Sequence, residues 1–556
     1  MAVRPATGGG TLRDHRRVFS LFVAPLPLLV AGMPIAHTAT RPPPEARFRL
    51  AGDAVPDLRE TTRVTGRLAS STRLRVAITL RPRDDAGLNA FIAQVSDPSS
   101  RLHGRYLTKD QFTTRFGRTA LEVGRITRYL DAQGLKVDKV HDGNLLIDAS
   151  GTAAGMEMAF GTHLNTWRDS RTGRAFYANE TAPSLPASLG ALVLDVSGLN
   201  DRLVRGVSPR LGPKGGLTPA QLKGGYGVAP LASTGLNGSG QTVAVVEFDG
   251  FEQSNITTYD NHYGLRPPAP TVREVDGGSG ALGSGQVEVE LDIEALQAIA
   301  PKAHVAVFET PNTDAGEVDV YQAIVDSGTR VTSSCWGAAE TQRTAGNMSA
   351  LDLVFKQGAA EGLSFFAAAG DNGSDDAGDG GRSVDYPASD PYVTGVGGTR
   401  LGLTSNNTWS NEVAWPLGGG GASSVFAIPT WQVPVRKAAG GGRRQVPDVA
   451  AEADPEPGIS VYTGGAWASI GGTSAATPDW AALAALYNQK AQARGKAPLG
   501  FANPLIYSLG RASGDTTDFH DITRGGNGAY TATHGWDFVA GWGSYDATHF
   551  IAAGIR

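Results

Sequence analysis

Two apolar periodicities are mixed in the first part of the chain. In "RLRVAITLRP" apolar and polar residues alternate as they do in a β-strand. From Leu88 to Val95, and again from Val123 to Leu130, apolar residues recur at helical spacing, and Gly134 is placed to end the second helix. "GNLLIDASG" and "ALVLDVSGL" are typical of further short strands. Because strands and helices do not alternate strictly, the pattern predicts an α+β domain over residues 40–204.

From about Leu217 the apolar runs become nearly continuous and alternate with helical stretches. "QTVAVVEFDG", "HVAVFET", "GLSFFAAAGD" and "ISVYTG" are typical of strands in a parallel sheet that helices cover on both faces. We therefore predict an α/β domain over residues 217–556. Ligands of such sheets bind beyond the carboxyl ends of the strands, and Glu247, Asp249 and Asp371 fall at these ends.

The segment "RGVSPRLGPKGG", from Arg205 to Gly216, separates the two predicted domains. It is basic, rich in glycine and proline, and without apolar periodicity, so we expect an exposed linker. Exposed linkers of this kind are preferred sites of proteolytic cutting.

The N-terminus carries basic residues followed by an apolar run from Phe19 to Ala36. This order is typical of a secretory signal, here residues 1–39. Three prolines within the run, and its modest length, argue against a membrane-spanning helix. We therefore expect a secreted protein, extracellular or periplasmic. No later segment is apolar over about 18 residues, so we expect no membrane contact in the mature form.

The composition limits which kinds of protein, partner and site the chain can represent. The chain has 556 residues, of which 41% are hydrophobic, so it is long enough for more than one folded domain. Its net charge of −5 gives no reason to expect a nucleic-acid partner. Cys335 is the single cysteine, which excludes an intrachain disulfide and metal sites built on several thiolates.

The stretch "SIGGTSAATPDWAAL", from Ser469 to Leu483, is typical of a segment that carries a nucleophilic serine, here Ser474. Such a serine normally needs a histidine to accept its proton. The chain has ten histidines, five of them in the signal or the first predicted domain. None of the ten stands in the Gly-His-Gly-Thr-His setting of subtilisin-type enzymes, so a histidine base is poorly supported.

Carboxylates offer another source of a base. In "GQVEVELDIEALQAIAP", Glu288 and Asp292 are four residues apart and share one helical face, while Glu290 and Glu294 repeat the spacing on another face. Such a pair can share a proton and act as an acid–base pair. The alternative is an acidic, solvated helix start, and spacing alone does not choose. In "FFAAAGDNGSDDAGDG", Asp371 follows an apolar strand, as a turn residue or part of a cation-binding loop.

These motifs together resemble a known family. "GGTSAATP" and "AAAGD" resemble the subtilisin superfamily, but Asp371 replaces the asparagine of the second motif and the histidine motif is missing. With Glu288 and Asp292 upstream, and with "SSCWG", "VDYPASDPYVTGVGGT" and "RRQVPDVAAEADP", the chain resembles the sedolisin family of serine-carboxyl peptidases. The first region, with "RYLTKDQFTTRFG", resembles the activation prodomain of that family.

The resemblance implies a subtilisin-like sheet and a set of catalytic roles. Ser474 would be the nucleophile and Glu288 the general base, with Asp292 orienting it. Asp371 would stabilise the oxyanion, which it can do only when protonated, because an ionised carboxylate donates no hydrogen bond. The resemblance therefore implies an acid-active endopeptidase made as a precursor, which cuts itself near the linker at residues 205–216. Its partners would be protein or peptide substrates and its own prodomain.

The resemblance also implies one calcium ion near the C-terminus. Asp521 and Asp537 would supply carboxylates, and Ile522, Thr533 and Gly535 backbone carbonyls, all of them hard oxygen ligands. The family usually has glycine at the position of Thr533.

Three further residues stand near the predicted catalytic group. Glu247 and Trp336 resemble a supporting network, with a strand-end acid and a buried indole as the alternative. Asp385, in "VDYPASDP", is a candidate to line a substrate subsite. We do not expect Cys335, which stands where the family often has serine, to be catalytic. Two other functions stay open: a histidine-dependent subtilisin-like peptidase, and a non-catalytic binding protein on the same scaffold.

Overall fold

The computed structural model describes residues 45–55, 62–170, 172–206, 209–213, 215–513 and 517–555. The predicted signal, residues 1–39, lies outside the described residues. The described elements before residue 204 are the strands β1 (Arg47–Arg49), β2 (Thr62–Arg67), β3 (Arg73–Leu80), β4 (Lys136–Val140), β5 (Leu146–Thr152), β6 (Leu164–Asp169), β7 (Ala175–Asn179), β8 (Ser184–Pro186) and β9 (Val193–Ser197), and the helices α1 (Asp85–Ser96), α2 (Lys109–Phe116), α3 (Ala120–Ala132), α4 (Ala153–Phe160) and α5 (Ala187–Gly190).

The first region is an α+β fold, as the sequence predicts. Its main sheet is antiparallel, in the order β4-β5-β3-β9, with a smaller sheet β2-β6-β7 and the pair β1-β8. The apolar faces predicted for α1 and α3 are buried in its core. Helix α3 is followed by Gly134, whose φ of 78° lies in the left-handed region that glycine adopts without strain.

The elements from residue 205 onward form the second region. Its strands are β10 (Arg210–Leu211), β11 (Thr242–Glu247), β12 (Thr271–Glu274), β13 (His304–Glu309), β14 (Val331–Ser334), β15 (Ala338–Ala339), β16 (Ser364–Ala368), β17 (Asp385–Tyr386), β18 (Thr394–Leu403), β19 (Trp409–Ala414), β20 (Gly421–Ala427), β21 (Arg443–Val446), β22 (Val449–Glu452), β23 (Ile459–Thr463), β24 (Ala466–Gly471), β25 (Phe519–His520) and β26 (Ser544–Tyr545). Its helices are α6 (Pro219–Gly225), α7 (Ala229–Ser233), α8 (Gln253–Tyr263), α9 (Gln286–Ile299), α10 (Asp314–Ser327), α11 (Ala345–Glu361), α12 (Thr473–Ala493), α13 (Asn503–Ser513) and α14 (Ala547–Gly554).

The main sheet of the second region has eight strands, in the order β12-β13-β11-β14-β16-β18-β19, with β22 also paired to β18. All pairs are parallel except β18 with β19. Along β11, Val243 and Val245 join a core with α9 and α12, while Ala244 and Val246 join a core with α10 and α11. Both faces of the sheet are therefore buried, which explains its continuous apolar strands. This confirms the predicted subtilisin-like architecture of a parallel sheet flanked by helices.

One predicted strand of this sheet lies elsewhere. "ISVYTG" forms β23, which pairs antiparallel with β24 in a small sheet that also contains β10. Gly464 and Gly465 connect β23 to β24, and both have positive φ, as the two central residues of a tight hairpin turn require. The prediction that this run belongs to the parallel sheet was wrong because the double glycine turns the chain straight back.

The two regions pack against each other, since the chain from Ala46 onward forms one compact unit. Leu353 and Ala360 of α11 enter the core of the first region. Charged groups also cross the interface: His141 contacts Asp326 Oδ2 through Nδ1 at 2.9 Å, and Arg75 Nε lies 3.4 Å from Asp319 Oδ2. Among the described helices, none combines the length and apolar character needed to cross a membrane.

Candidate active site

The carboxyl ends of the parallel strands bring three distant segments together. Helix α9 carries Glu288 and Asp292, the loop after β16 carries Asp371, and α12 begins at Thr473, one residue before Ser474. Asp371 and Ser474 line one cavity of about 230 Å³. The described residues that line it include no histidine: Val204, Gly206, Cys335, Gly337, Ala338, Ala339, Gln342, Ala368, Gly370, Asp371, Asn372, Asp376, Asp385, Thr473 and Ser474.

Of the two carboxylate pairs on α9, only one faces Ser474. A carboxylate oxygen from each of Glu288 and Asp292 lies within 4.8 Å of the other and of Cys335 Sγ. The other pair forms structural hydrogen bonds. Glu290 Oε1 accepts from the amide of Asn255 at 2.8 Å, and Glu294 Oε2 accepts from the backbone N–H of Tyr462 at 2.8 Å. All four carboxylates are fully buried, so the alternative of a solvated helix start is wrong.

Burial governs the protonation of the pair beside Ser474. Burial, and then the charge of Asp292, raises the pKa of Glu288 well above its ordinary value. Burial also raises the pKa of Asp292 to about 7. No described donor meets hydrogen-bond geometry at either carboxylate oxygen of Glu288, but Ser474 and Cys335 lie close enough to favour its ionised form. This site therefore holds carboxyl groups that keep protons well above the usual pH for carboxylic acids.

Glu247 extends the cluster on the side away from Ser474. The indole Nε1–H of Trp336 donates to Glu247 Oε2 at 2.8 Å, and both side chains are buried. Burial and the charge of Asp292 raise the pKa of Glu247 well above its ordinary value. The buried network predicted for Glu247 and Trp336 is present, and it joins the carboxyl pair. We name Glu247, Glu288 and Asp292 together the cleft cluster.

Ser474 sits at a tight strand-to-helix junction. Gly472, two residues earlier, has a φ of 128°, and a Cβ there would stand 2.8 Å from Asp371 Oδ2. Only glycine therefore lets this turn approach the aspartate. Ser474 itself is only 3% exposed in the precursor.

Asp371 is held against the turn that carries the serine. The backbone N–H of Thr473 donates to Asp371 Oδ1 at 2.8 Å and its hydroxyl donates to the same oxygen at 2.9 Å. Burial raises the pKa of Asp371 to about 6, although these hydrogen bonds and the charge of Arg210 oppose the rise. The side chain is thus fixed in place and protonated in weak acid.

The described part of the linker borders this cavity. Gly206 forms an antiparallel bridge with Gly337, and Val204 and Gly206 line the cavity beside Ser474. Further along, Arg210 Nη2 donates to the Asp371 carbonyl oxygen at 3.3 Å, and β10 pairs with β24. Two described parts of the linker therefore lie at the cleft: Gly206 beside the cavity of Ser474, and Arg210 beside Asp371.

The expectation of an exposed linker was wrong for its first residue. Arg205 is fully buried, and its Nη2 lies 2.8 Å from Asp314 Oδ1 and 2.5 Å from Glu317 Oε2. Arg343 binds the same glutamate through two nitrogens, at 2.8 and 3.0 Å. We name Arg205, Asp314, Glu317 and Arg343 the arginine cluster. No local motif indicates this cluster, because its members come from three separate segments.

The residues predicted to hold calcium come together near the C-terminus. Asp521 Oδ2 accepts from His534 Nδ1 at 3.0 Å and from the backbone N–H of Gly535 at 3.4 Å. Asp537 Oδ2 accepts from the backbone N–H of Thr533 at 2.6 Å. The loop through Thr533 and Gly535 thus bridges both carboxylates, and Ile522 is buried beside them. The two carboxylates and the backbone carbonyls of the predicted set are all oxygen donors, which is the kind of ligand that a hard cation prefers.

Comparison with known proteins adds evidence from outside the chain. Residues 60–202 match the family described as the pro-kumamolisin activation domain, and residues 278–543 match the subtilase family. Kumamolisin from Bacillus sp. (strain MN-32) is 34% identical over 520 residues, which cover 86% of this chain and 91% of that protein. Sedolisin from Pseudomonas sp. (strain 101) is 29% identical over 524 residues, 87% of this chain and 88% of that protein.

A solved structure agrees with the fold. Pseudomonas sedolisin, a serine-carboxyl proteinase complexed with two molecules of pseudo-iodotyrostatin, matches with a TM-score of 0.55 and 28% identity. The match covers 61% of this chain and 98% of that one. Together with the identity to kumamolisin over nearly its whole length, this shows that the chain belongs to the sedolisin family of serine-carboxyl peptidases and carries an activation prodomain.

Proposed function

We propose that this chain is the precursor of a secreted, acid-active endopeptidase whose four catalytic residues are Ser474, Glu288, Asp292 and Asp371. The observation that carries the proposal is that Ser474 and Asp371 line one cavity without a described histidine, while the buried carboxylate of Glu288 lies close to both Ser474 and Asp292. A subtilisin-like mechanism with a histidine base has no candidate base in this lining. A non-catalytic scaffold would not need a linker held beside an intact serine.

In the proposed first step, Ser474 Oγ bonds to the carbonyl carbon of the substrate and its proton passes to Glu288. The carbonyl oxygen becomes an oxyanion, which the protonated carboxyl of Asp371 stabilises by donating a hydrogen bond. Glu288 then gives its proton to the leaving amine, and the C–N bond breaks to leave an acyl-enzyme. Water repeats the sequence with Glu288 as base and frees Ser474.

Glu288 must be ionised when it accepts the proton, although burial raises its pKa. Glu247, Glu288 and Asp292 are carboxyls in one cluster, so their protons leave in coupled steps. After the first proton leaves, the two carboxyls that remain protonated can stabilise the single charge by hydrogen bonding. Asp292, next to Glu288, orients it in this state.

Asp371 sets the expected upper limit of the active pH range. Its pKa is about 6, so it is mostly protonated below that pH and mostly ionised above it. An ionised Asp371 repels the oxyanion and donates nothing to it. Activity should therefore fall as the pH rises through about 6.

We also propose one calcium ion held by Asp521, Asp537 and the carbonyls of Ile522, Thr533 and Gly535. Bound there, the ion would tie together the loop that both carboxylates already contact through backbone N–H groups. Its expected role is stability rather than chemistry, since these residues are not among those that line the cavity of Ser474. Chelation should lower the thermal midpoint of the precursor, and added calcium should restore it. Unchanged midpoints in both would contradict the calcium proposal.

Incubating the purified precursor at pH 4 and at pH 7.5, with Ser474→Ala as control, tests the peptidase proposal. We expect the wild-type chain to be cut in acid between Gly206, which lines the cavity of Ser474, and Arg210, which contacts Asp371, and the Ser474→Ala chain to stay intact. Sequencing the new N-terminus locates the cut. Self-cleavage that is fastest at neutral or alkaline pH would contradict the carboxyl mechanism. Sequencing the N-terminus of precursor recovered outside the producing cell tests the proposed signal at residues 1–39.

A further inference from the structure

Among the described residues of the linker, Arg205 has the most tightly held side chain. The guanidinium is fully buried between Asp314 and Glu317, and it lies 5.7 Å from the centre of the Phe248 ring. Neither acid belongs to the prodomain or the linker, because both lie on α10 of the second region. When the cut prodomain and linker leave, the acidic pocket stays with the enzyme.

The backbone of Arg205 is held as well as its side chain. Asn312 accepts a hydrogen bond from the Arg205 N–H at 2.9 Å and donates one to its carbonyl oxygen at 2.9 Å. The next residue, Gly206, forms the antiparallel bridge with Gly337 at the edge of the cleft. Hydrogen bonds to both main-chain groups of a residue hold an extended peptide in register. Asn312 makes such a pair of hydrogen bonds with Arg205.

With Arg205 in place, Glu317 keeps its charge in acid. Burial alone would raise the pKa of Glu317, but Arg205 and Arg343 lower it to about 2. Arg343 alone satisfies only one of the two buried acids, since its contacts run to Glu317 and not to Asp314. A peptide that brings a guanidinium therefore restores the pairing that the linker provides, whereas a neutral side chain leaves buried charge without a partner.

From this arrangement we infer that the pocket formed by Asn312, Asp314 and Glu317 is a substrate subsite for arginine, on the N-terminal side of the cleaved bond. This inference rests on the proposed peptidase function and names a substrate class for it: extended peptides with an arginine upstream of the cut. The cut proposed between Gly206 and Arg210 lies on the C-terminal side of Arg205, which places the subsite on the non-primed side.

The test uses the processed enzyme and three peptides based on residues 203–212, "LVRGVSPRLG". The first has the natural sequence, the second has citrulline in place of Arg205, and the third has citrulline in place of Arg210. Citrulline keeps the shape of arginine and removes its charge. We expect kcat/KM to fall about 10- to 100-fold for the second peptide, as for losing hydrogen bonds to charged groups. The third should change less, because Arg210 donates to a carbonyl oxygen of Asp371 and forms no ion pair with a described carboxylate.

Variants of the enzyme test whether the preference for arginine depends on this pocket. Asp314→Asn should reduce the ratio of kcat/KM between the first and second peptides, whereas Asp319→Asn, an equal change on the same helix that does not contact Arg205, should keep it. Equal kcat/KM for the first and second peptides with the wild-type enzyme would overturn the subsite and leave the peptidase proposal intact. If none of the three peptides is cut, and a general protein substrate is not cut either, the peptidase function fails and the subsite with it.

Discussion

The cleft cluster and the arginine cluster are both groups of buried carboxylates, yet they have opposite electrostatic character. In the cleft cluster no described cation pairs with Glu288, and burial raises its pKa well above the ordinary value. In the arginine cluster, Glu317 is equally buried, but two guanidinium groups lower its pKa to about 2. Burial alone therefore does not decide the charge of an acid in this protein; the presence of a cation does.

The two clusters are neighbours joined by aromatic rings. Phe248 lies under the Arg205 guanidinium on one side and packs edge-on against Trp336 on the other, with ring centres 5.6 Å apart. Trp336 in turn donates to Glu247 of the cleft cluster. The rings of Phe248 and Trp336 thus lie between the cleft cluster, whose carboxyls must gain and lose protons, and the arginine cluster, whose groups stay charged. The comparison predicts that removing a carboxylate affects chemistry in one cluster and anchoring in the other.

The largest expected effect follows from replacing Glu288 by glutamine. Glutamine has nearly the same shape but cannot accept the serine proton, so we expect kcat of the processed enzyme to fall by about 10⁴-fold or more. Glu290→Gln is the matched control, since all three hydrogen bonds that Glu290 accepts go to Oε1, which glutamine retains. Initial rates on a chromogenic peptide measure both. If the Glu290 variant loses as much activity as the Glu288 variant, the wrong pair was chosen.

A smaller effect is expected at Asp371, where the role depends on protonation. Asp371→Ala removes the donor and should lower kcat by about 10²–10³-fold. Asp371→Asn keeps a donor that does not titrate, so the loss of activity above pH 6 seen in the wild type should move to higher pH. Rate–pH profiles of both variants, with Asp379→Asn of the same loop as control, test this. If the asparagine variant loses activity above pH 6 just as the wild type does, another group causes that loss.

Breaking the arginine cluster should affect stability rather than chemistry. Arg205→Met in a Ser474→Ala precursor leaves Asp314 without its guanidinium and Glu317 with only one, and we expect about 3–5 kcal/mol less free energy of unfolding. Arg67→Met removes a half-exposed ion pair with Glu157 and should lose at most about 1 kcal/mol. Urea titrations give both values. Equal losses in the two variants would mean that the arginine cluster contributes no more than a surface pair.

These clusters also mark the limit of what the sequence reveals. The four catalytic candidates could be found because each lies in a local motif: a serine before a helix, a carboxyl pair at one helical turn, an aspartate after an apolar strand. The structure places Ser474 and Asp371 in one cavity and turns Glu288 toward the serine. Their chemical roles stay predictions until measured. The choice between the two pairs on α9 required tertiary packing, because both faces of that helix are buried.

The arginine cluster could not be found in the same way. Arg205 lies in a basic, glycine-rich segment that indicates exposure, and its partners lie more than a hundred positions later in the chain. Burial of such a residue depends on an acidic pocket that only the folded second region creates. The misplaced strand "ISVYTG" is different, since the Gly464–Gly465 pair that ends it was a readable hairpin signal. That error came from giving apolar continuity more weight than turn chemistry.

The smallest expected effect comes from a third buried group, in which the cation itself titrates. His141 is buried between Asp148 and Asp326, with ring nitrogens 3.0 and 2.9 Å from their oxygens. Burial lowers its pKa, but hydrogen bonds and charge from the two aspartates outweigh this and raise the pKa above 6.5. A histidine with a raised pKa in the folded state contributes its full stability below pH 6.5, and that stability is lost as the pH rises through the higher value. This group therefore resembles the arginine cluster most closely in acid; in base His141 becomes neutral, while Asp148 keeps its ion pair with Arg75 and Asp326 its contact with Lys139.

Replacing His141 by asparagine in the Ser474→Ala precursor tests this intermediate case. The free energy of unfolding should fall by about 1.5–3 kcal/mol at pH 5, the range for hydrogen bonds to charged groups, and by less at pH 8.5, because the wild type loses this charge as the pH rises through the raised pKa of His141. His163→Asn is the control, because His163 is 65% exposed and 4.0 Å from Glu157. Urea titrations at both pH values measure the difference. A loss that is the same at both would mean that His141 holds the two regions together by packing and neutral hydrogen bonds, and that only permanent cations distinguish the buried acids of this protein.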